Sequence, residues 1–233
     1  MTVPFPTDWA SALVLVPHPD DVEYGMAAAV AKWTAGGRRV RYALACRGEA
    51  GIAGMPPEQA GPIREAEQRR AAAIVGVDPI DGVQFWDFPD SAIRDTAALR
   101  ARIAATITAV KPDVVVGIFG GAQWGPDQPN QRDHIEFAAA VTAAFDEVAG
   151  LAGLADPPRW LFQNAPEPTH GEVVDDYVDV AVAALTAHTV YLAVLDPGTP
   201  VAEQARAVIE QTVPVSPETG RRTAGFVLKR GPA

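Results

Sequence analysis

Short apolar runs alternate along this chain with longer stretches that mix apolar and charged positions at helical spacing. Ala12 to Val16 is wholly apolar, the mark of a buried strand. Pro17 and Pro19 end it by removing backbone donors and fixing φ, and a helical stretch follows from about Val22 to Ala35. Gly36-Gly37 stops that helix, and Arg39 to Ala45 reads as a second strand. Pro62 stands at a helix start, and Ile63 to Val75 carries the helix, with Arg64, Glu65, Glu67, Arg69 and Arg70 in solvated or loop-facing positions. Val83 to Trp86 is a short strand, Ala97 to Val110 a helix, and Val114 to Phe119 a buried strand with almost no polar residue. A strong helix runs from Asp133-His134 to about Val148. Further on, Trp160 to Gln163 reads as a strand, Val173 to Val180 as a solvated edge, and Val180 to Val194 and Pro200 to Gln211 as helices.

This order predicts parallel strands joined by right-handed crossovers. The expected fold is α/β, a Rossmann-like three-layer α/β/α sandwich with a mostly parallel sheet. With 233 residues and no break in composition, a single domain over 1–233 is expected. No G-x-G-x-x-G follows the first strand, so the fold does not imply a dinucleotide.

Composition narrows the partners. A net charge of −10 provides no broad basic surface for nucleic acid or an anionic membrane. Cys46 is the only cysteine; it excludes an intramolecular disulfide and suits a reducing compartment, with a small buried apolar residue at a strand end as its simplest role. Met1 to Trp9 lacks the cationic and apolar segments of a secretion signal, and no apolar run reaches the roughly 18 to 20 residues of a membrane span. A cytoplasmic protein is expected. The oligomeric state is open, a homo-oligomer included.

Candidate chemistry gathers at two strand ends. His18-Pro-Asp-Asp-Val-Glu23 follows the first strand, on the side of an open α/β sheet where ligands bind. His18 and Asp21 read as ligands of a divalent metal and Asp20 as the base beside it. The competing reading is a capping box, in which Asp20 and Glu23 satisfy the first free amides of the helix. A second Asp and an adjacent His exceed what a cap requires. After the buried strand at Val114, the loop Gly120 to Arg132 ends in Asp133-His134 at a helix start, repeating the first geometry. If the two strands are neighbours, His134 becomes the third ligand.

Together these residues resemble the LmbE-like, or PIG-L, family of zinc-dependent N-deacetylases. Arg47-Gly48-Glu49-Ala50-Gly51, Arg64-Glu65-Ala66-Glu67 with Val75-Gly76-Val77, and Pro89-Asp90 are similar to further family segments, so the likeness covers roughly residues 11 to 195. The resemblance implies one Zn2+ per chain, held by His18, Asp21 and His134, with Asp20 as general base and Arg64 and Asp90 at sugar-contacting positions. Zinc is the first choice over iron or manganese. Arg47 and Glu49 would add hydrogen bonds to sugar hydroxyls, or else be solvated surface.

One departure stands out. Many members have His-Pro-Asp-His where this chain has Gln131-Arg132-Asp133-His134, so Gln131 replaces a histidine that assists the oxyanion or the leaving group. An amide donates a hydrogen bond but delivers no proton near neutral pH. Asp20 would then perform both proton transfers, or His170 or His188 would enter the site. For His188 a core or inter-helix position is the simpler account, and for His170 an exposed loop. Trp124-Gly125-Pro126 and Phe85-Trp86 would stack on a sugar or pack in the core, and Gly51 to Gly61 has the length of a lid. The expected activity is hydrolysis of an N-acyl, first of all N-acetyl, group on a small sugar-like conjugate. The alternatives are an amidase acting on thiol conjugates and a catalytically silent binding domain.

Overall fold

Alternate residues of one strand divide the interior in two. Ser11–Val16 (β2, after the short β1 at Val3–Pro4) contributes Ala12, Val14 and Val16 to one buried cluster and Leu13 and Leu15 to the other, as the period of a pleated strand requires. The computed structural model describes residues 2–152, 154–217 and 219–232. After β2 come α1 (Ala27–Ala35), β3 (Arg39–Leu44), α2 (Pro57–Ile74), β4 (Val83–Phe85) and α3 (Ala97–Val110). Next are β5 (Val114–Gly117), the hairpin of β6 (Gln123–Gly125) and β7 (Gln128–Pro129), α4 (Arg132–Ala149), β8 (Trp160–Asn164) and β9 (His170–Val173). Helices α5 (Val178–Thr186), α6 (Thr189–Leu195) and α7 (Val201–Thr212) precede the last strand, β10 (Thr223–Arg230).

Eight strands form one sheet in the order β1-β9-β10-β8-β5-β2-β3-β4. Within this sheet, among the described residues, only the two pairings made by β10 are antiparallel. Ala28, Trp33, Ala72, Leu185 and Ile209 bring α1, α2, α5 and α7 onto the face that holds Val14. Leu99 and Ile103 of α3 and Phe137 and Val141 of α4 cover the other face. The result is the expected three-layer α/β/α sandwich. From β2 the sheet grows one way through β3 and β4 and the other way through β5 and β8, so the strand order reverses between β2 and β5. The carboxyl ends of these neighbours flank the crevice where such sheets bind ligands.

Several expected elements differ, each for a local reason. Residues 21–26 form consecutive turns, with Tyr24 N–H bonded to Asp20 O and Met26 N–H to Val22 O, and the regular helix begins only at Ala27. Helix α2 starts at Pro57, behind an extended Pro56, which leaves Pro62 inside the helix. The missing N–H there deprives one carbonyl of its helical partner. The stretch Val180 to Val194 is two helices, bent by 80° around His188. Glu67 accepts the N–H of Val190 at 2.6 Å and so braces the start of α6. The edge expected at Val173 to Val180 contains a 3-10 turn at Asp175–Tyr177, and β10 had no counterpart in the hydrophobic pattern. Among the described residues no single helix is long and apolar enough to cross a membrane.

Candidate active site

The turn after β2 is held by its own side chains. His18 N–H donates to Asp21 Oδ2 at 2.8 Å, and Cys46 N–H donates to Pro17 O at 3.1 Å. Asp20 sits in the left-handed region with φ 82°, where a non-glycine residue is strained. Its N–H is received by Gln68 Oε1 at 2.8 Å, and the Gln68 amide is fixed in turn by donating to both Glu23 oxygens at 3.1 and 3.2 Å. Neither carboxylate caps a helix: Asp20 Oδ2 lies 3.1 Å from Arg64 Nη2, and Glu23 is fully buried against Gln68. The capping-box reading is thereby replaced.

The second loop fixes His134 by a chain of hydrogen bonds. Asn130 donates through Nδ2 to Phe119 O at 2.9 Å and Gly121 O at 2.8 Å, so its Oδ1 is the acceptor. That oxygen receives Trp124 Nε1–H at 2.9 Å and lies 3.0 Å from His134 Nδ1. An acceptor there calls for a proton on Nδ1, so in the neutral imidazole the lone pair is on Nε2. Nε2 is buried, has no hydrogen-bond partner among the described residues, and lies 3.1 Å from Asp21 Oδ1. Two electron-rich atoms at that distance require a positive charge between or beside them.

His18 completes the cluster. Its Nδ1 is 3.4 Å from Asp21 Oδ2, and its Nε2 is 3.4 Å from both Asp90 Oδ1 and Asp133 Oδ2. The ligand atoms of His18, Asp21 and His134 lie within 4.8 Å of one another, all three residues being buried, and so could hold one metal ion. His18 with Cys46 and Asp90 forms a second such group that shares the same imidazole. Burial alone would lower the pKa of His18, but hydrogen bonds to Asp133 and Asp21 outweigh it and raise the imidazole to about 10. Burial would likewise raise Asp21, yet His134 and His18 hold its carboxyl well below the usual range. For Asp20 burial prevails over Arg64, and the pKa rises to about 6, near the value suited to a base at neutral pH.

Arg64 is the structural partner of that base. It is 3% exposed, donates to Pro19 O at 2.6 Å, and stacks 4.1 Å above the Tyr191 ring. A Cβ at Gly48 or Gly51 would come within 2.5 or 2.3 Å of its Nη1, so the glycines of Arg47 to Gly51 make room for the guanidinium. The bend at His188 matters here because α6 carries Tyr191. Tyr191, Tyr24, Trp124, Gln131, Asp20 and His134 line one cleft of about 510 Å3. Gln131 stands at the N-cap position of α4 but makes no side-chain cap bond, so its amide is available to the cleft.

The structure therefore brings His18, Asp20, Asp21, Gln131 and His134 together, with Arg64 directly behind Asp20. Asp90 lies behind His18, its side chain 6% exposed and its Oδ2 bonded to Ala50 N–H at 2.8 Å. Arg47 and Glu49 line a separate, smaller cleft with Trp86 and Phe88. Glu49 accepts the backbone N–H of Asp90 at 2.9 Å and of Arg47 at 3.2 Å. His170 begins β9, packed on Phe162 with ring centroids 5.1 Å apart, and His188 is fully buried with Nε2 3.4 Å from Glu23 Oε2; neither lines the main cleft. Arg64 and Glu67, expected in solvated or loop-facing positions, are buried with Gln68. Their spacing of three and four residues puts them on one helix face, a polar stripe that a sequence alone does not distinguish from a solvated one. Asn130, Gln68, Tyr24 and Tyr191 were not singled out by sequence, for none belongs to a metal-ligand pattern.

Comparison with known proteins agrees with this fold. The family described as PIG-L, GlcNAc-PI de-N-acetylase, matches residues 13–145. A curated relative, the probable N-acetyl-alpha-D-glucosaminyl L-malate deacetylase 2 of Bacillus anthracis, is 28% identical over 134 residues, 55% of this chain and 59% of that protein. The match thus spans under two thirds of that relative's length. Among solved structures, the N,N'-diacetylchitobiose deacetylase of Pyrococcus horikoshii superposes with a TM-score of 0.81 at 17% identity, covering 96% of this chain and 85% of that one. The 4-carboxy-2-hydroxymuconate hydratase GalB of Pseudomonas putida has a TM-score of 0.75 at 17% identity, covering 96% of this chain and 98% of its own. A deacetylase and a hydratase thus share this fold, and chemistry must be argued from the site.

Proposed function

The chain belongs to the PIG-L, or LmbE-like, family of de-N-acetylases, and from that premise we propose that it is a metal-dependent hydrolase removing an N-acyl, first of all N-acetyl, group from an amino sugar or related small conjugate. The observation that carries the reading is His134 Nε2, a buried imidazole nitrogen with no hydrogen bond, turned toward Asp21 beside His18. A divalent cation, zinc first, held by His18, Asp21 and His134 would supply Lewis acidity, bringing the pKa of a water toward ~7 and polarising the acyl carbonyl.

The chain's own groups complete the reaction. Asp20 takes the proton of the attacking water, its carboxylate aimed by Arg64 at 3.1 Å and its backbone by Gln68 at 2.8 Å. Gln131, exposed on the cleft wall, donates its amide N–H to the carbonyl oxygen as negative charge develops. Since an amide yields no proton, Asp20 returns the one it has taken to the departing amine. Arg64, whose Nη2 meets Pro19 O and Asp20 Oδ2, and Asp90, whose Oδ2 accepts from Ala50 N–H, act by positioning Asp20 and His18. The walls offered by Tyr24, Trp124 and Tyr191 suit the flat face of a sugar ring. A lone buried thiol, Cys46, fits a reducing compartment such as the cytoplasm.

The test is metal content by elemental analysis of wild type and His134→Ala, together with acetate release from N-acetylglucosaminides and acyl release from N-acylated thiol conjugates. The reading expects about one zinc per chain, lost in the variant, and cleavage of the glycosides. Cleavage of thiol conjugates alone would favour the amidase alternative. Bound metal without hydrolysis of any of them would favour a silent binding domain, for which the replacement at Gln131 speaks.

A further inference from the structure

Asn164 ends β8, next to β5, and lines the same cleft as Asp20 and His134. It is 7% exposed, and its Oδ1 is buried with no hydrogen-bond partner among the described residues. Buried side-chain amides are nearly always partnered in folded proteins, because an unmet acceptor forfeits its hydration. Space is kept for this amide: a Cβ on Gly25, in the turn that leads from Asp20, would stand 2.5 Å from Asn164 Nδ2. An unpartnered primary amide on a cleft wall, with the opposing residue reduced to glycine, points to a partner that arrives with the ligand.

The chemistry of that partner follows from the amide and its surroundings. A primary amide presents one acceptor and two donor hydrogens and so matches a hydroxyl, which both gives and takes a hydrogen bond. A carboxylate or phosphate oxygen would leave Oδ1 unmet. Gln128, Gln131 and Gln211 line the same cleft, and no Lys or Arg does among its described residues, whereas Asp20 and Asp21 do. Asn164 also lies outside residues 13–145 matched by the family.

We propose that Asn164 is a substrate-recognition residue whose amide exchanges hydrogen bonds with an uncharged hydroxyl of the substrate, so that the cleft prefers a neutral polyol moiety to an anionic one. The proposal takes the substrate's acylated sugar from the deacylase reading and adds the residue and the group that set its preference.

The experiment is a cycle between protein and substrate, run as both turnover and calorimetric binding with the metal-loaded enzyme. Wild type, Asn164→Ala and the near-isosteric Asn164→Leu are compared on methyl N-acetylglucosaminide, its monodeoxy analogues and a carboxylate-bearing glycoside. Thermal melts confirm folding of each variant. On the parent glycoside both variants should lose roughly 5- to 10-fold in kcat/KM, mainly through KM. On one monodeoxy analogue wild type and variants should converge to within about 2-fold, since the hydroxyl that Asn164 reads is gone. A merely structural role predicts the same penalty on every glycoside, and that result, no penalty on the parent, or a wild-type preference for the carboxylate-bearing glycoside would overturn the proposal. Wild type that binds the glycoside without cleaving it would refute the deacylase reading, and the binding cycle would still decide the role of Asn164. Wild type that neither binds nor cleaves overturns both.

Discussion

Gln68 Oε1 receives the backbone N–H of Asp20 at 2.8 Å, so a helix residue far along the chain holds the candidate base in its left-handed conformation of φ 82°. Glu23, which takes both hydrogen bonds from Gln68 Nε2, leaves the amide only one orientation. Gln68→Met keeps the volume and removes every bond. It should cost about 1–3 kcal/mol, because the buried Glu23 carboxylate loses the amide that donates to it and the Asp20 N–H loses its acceptor. It should also lower kcat more than it raises KM, as the base swings away from the attacking water. Urea unfolding with steady-state kinetics checks both; lost stability with unchanged kcat would show that Gln68 serves the fold alone.

Asp20→Asn tests the base itself. The carboxylate is no ligand in the proposed set, so metal content should stay at the wild-type level while turnover falls by roughly 10²–10⁴-fold. Elemental analysis and acetate release on one preparation decide it. Undiminished hydrolysis would remove Asp20 from the mechanism, and lost metal would make it a ligand.

The cluster of His18, Asp21 and His134, which could hold a metal ion, was legible in the chain because its members are local signals: His-x-x-Asp where a strand ends on prolines, and a second His where a helix begins. The same alternation of strands and helices conveyed the parallel core. What it did not convey depends on contacts between distant segments. The break at His188 lies within an Ala- and Val-rich run whose periodicity reads straight through, and it is fixed by Glu67 on another helix. Strand β10 returns antiparallel between β8 and β9, an order that no local pattern encodes. Arg64 carried a charge that suggested the surface, but α6 and the glycines at 48 and 51 enclose it. Cys46 is buried, as its place just after an apolar strand implies.

Asp113 ties together the starts of the two strands that lead to the candidate site and should carry a pH dependence of stability. Its Oδ2 accepts from Ala10 N–H at 2.8 Å, Ser11 N–H at 3.0 Å and Ser11 Oγ–H at 3.3 Å. Burial opposes ionisation, but these bonds and Arg159 outweigh it and hold the carboxyl below its usual value. A carboxyl lowered in the folded state stabilises the fold above its unfolded pKa of about 3.9, and that contribution fades as the pH falls toward and through the lower folded value. At neutral pH Asp113→Ala should therefore be less stable than wild type by ~1 kcal/mol, a modest figure because the group is partly exposed. The gap should narrow below about pH 4. Urea unfolding of both proteins across that range measures it; a gap that stays constant would mean the ionised carboxylate is not the source.

Asn130 should govern how tightly the metal is held without touching it. Both of its Nδ2 hydrogens go to the carbonyls of Phe119 and Gly121, and its Oδ1 is shared by Trp124 Nε1 and His134 Nδ1. That arrangement offers an acceptor for a proton on His134 Nδ1 and turns Nε2 toward Asp21, the orientation a metal ligand must have. Asn130→Ala frees the ring to rotate or change tautomer, and metal affinity should drop by about 10–100-fold. Asn130→Asp restores an acceptor toward Nδ1 while removing the donors to the loop carbonyls, so it should recover part of that affinity and lose thermal stability instead. Competitive titration with a zinc chelator, alongside thermal melts of the metal-free proteins, separates the two effects. Equal affinity in wild type and Asn130→Ala would mean that packing alone orients His134.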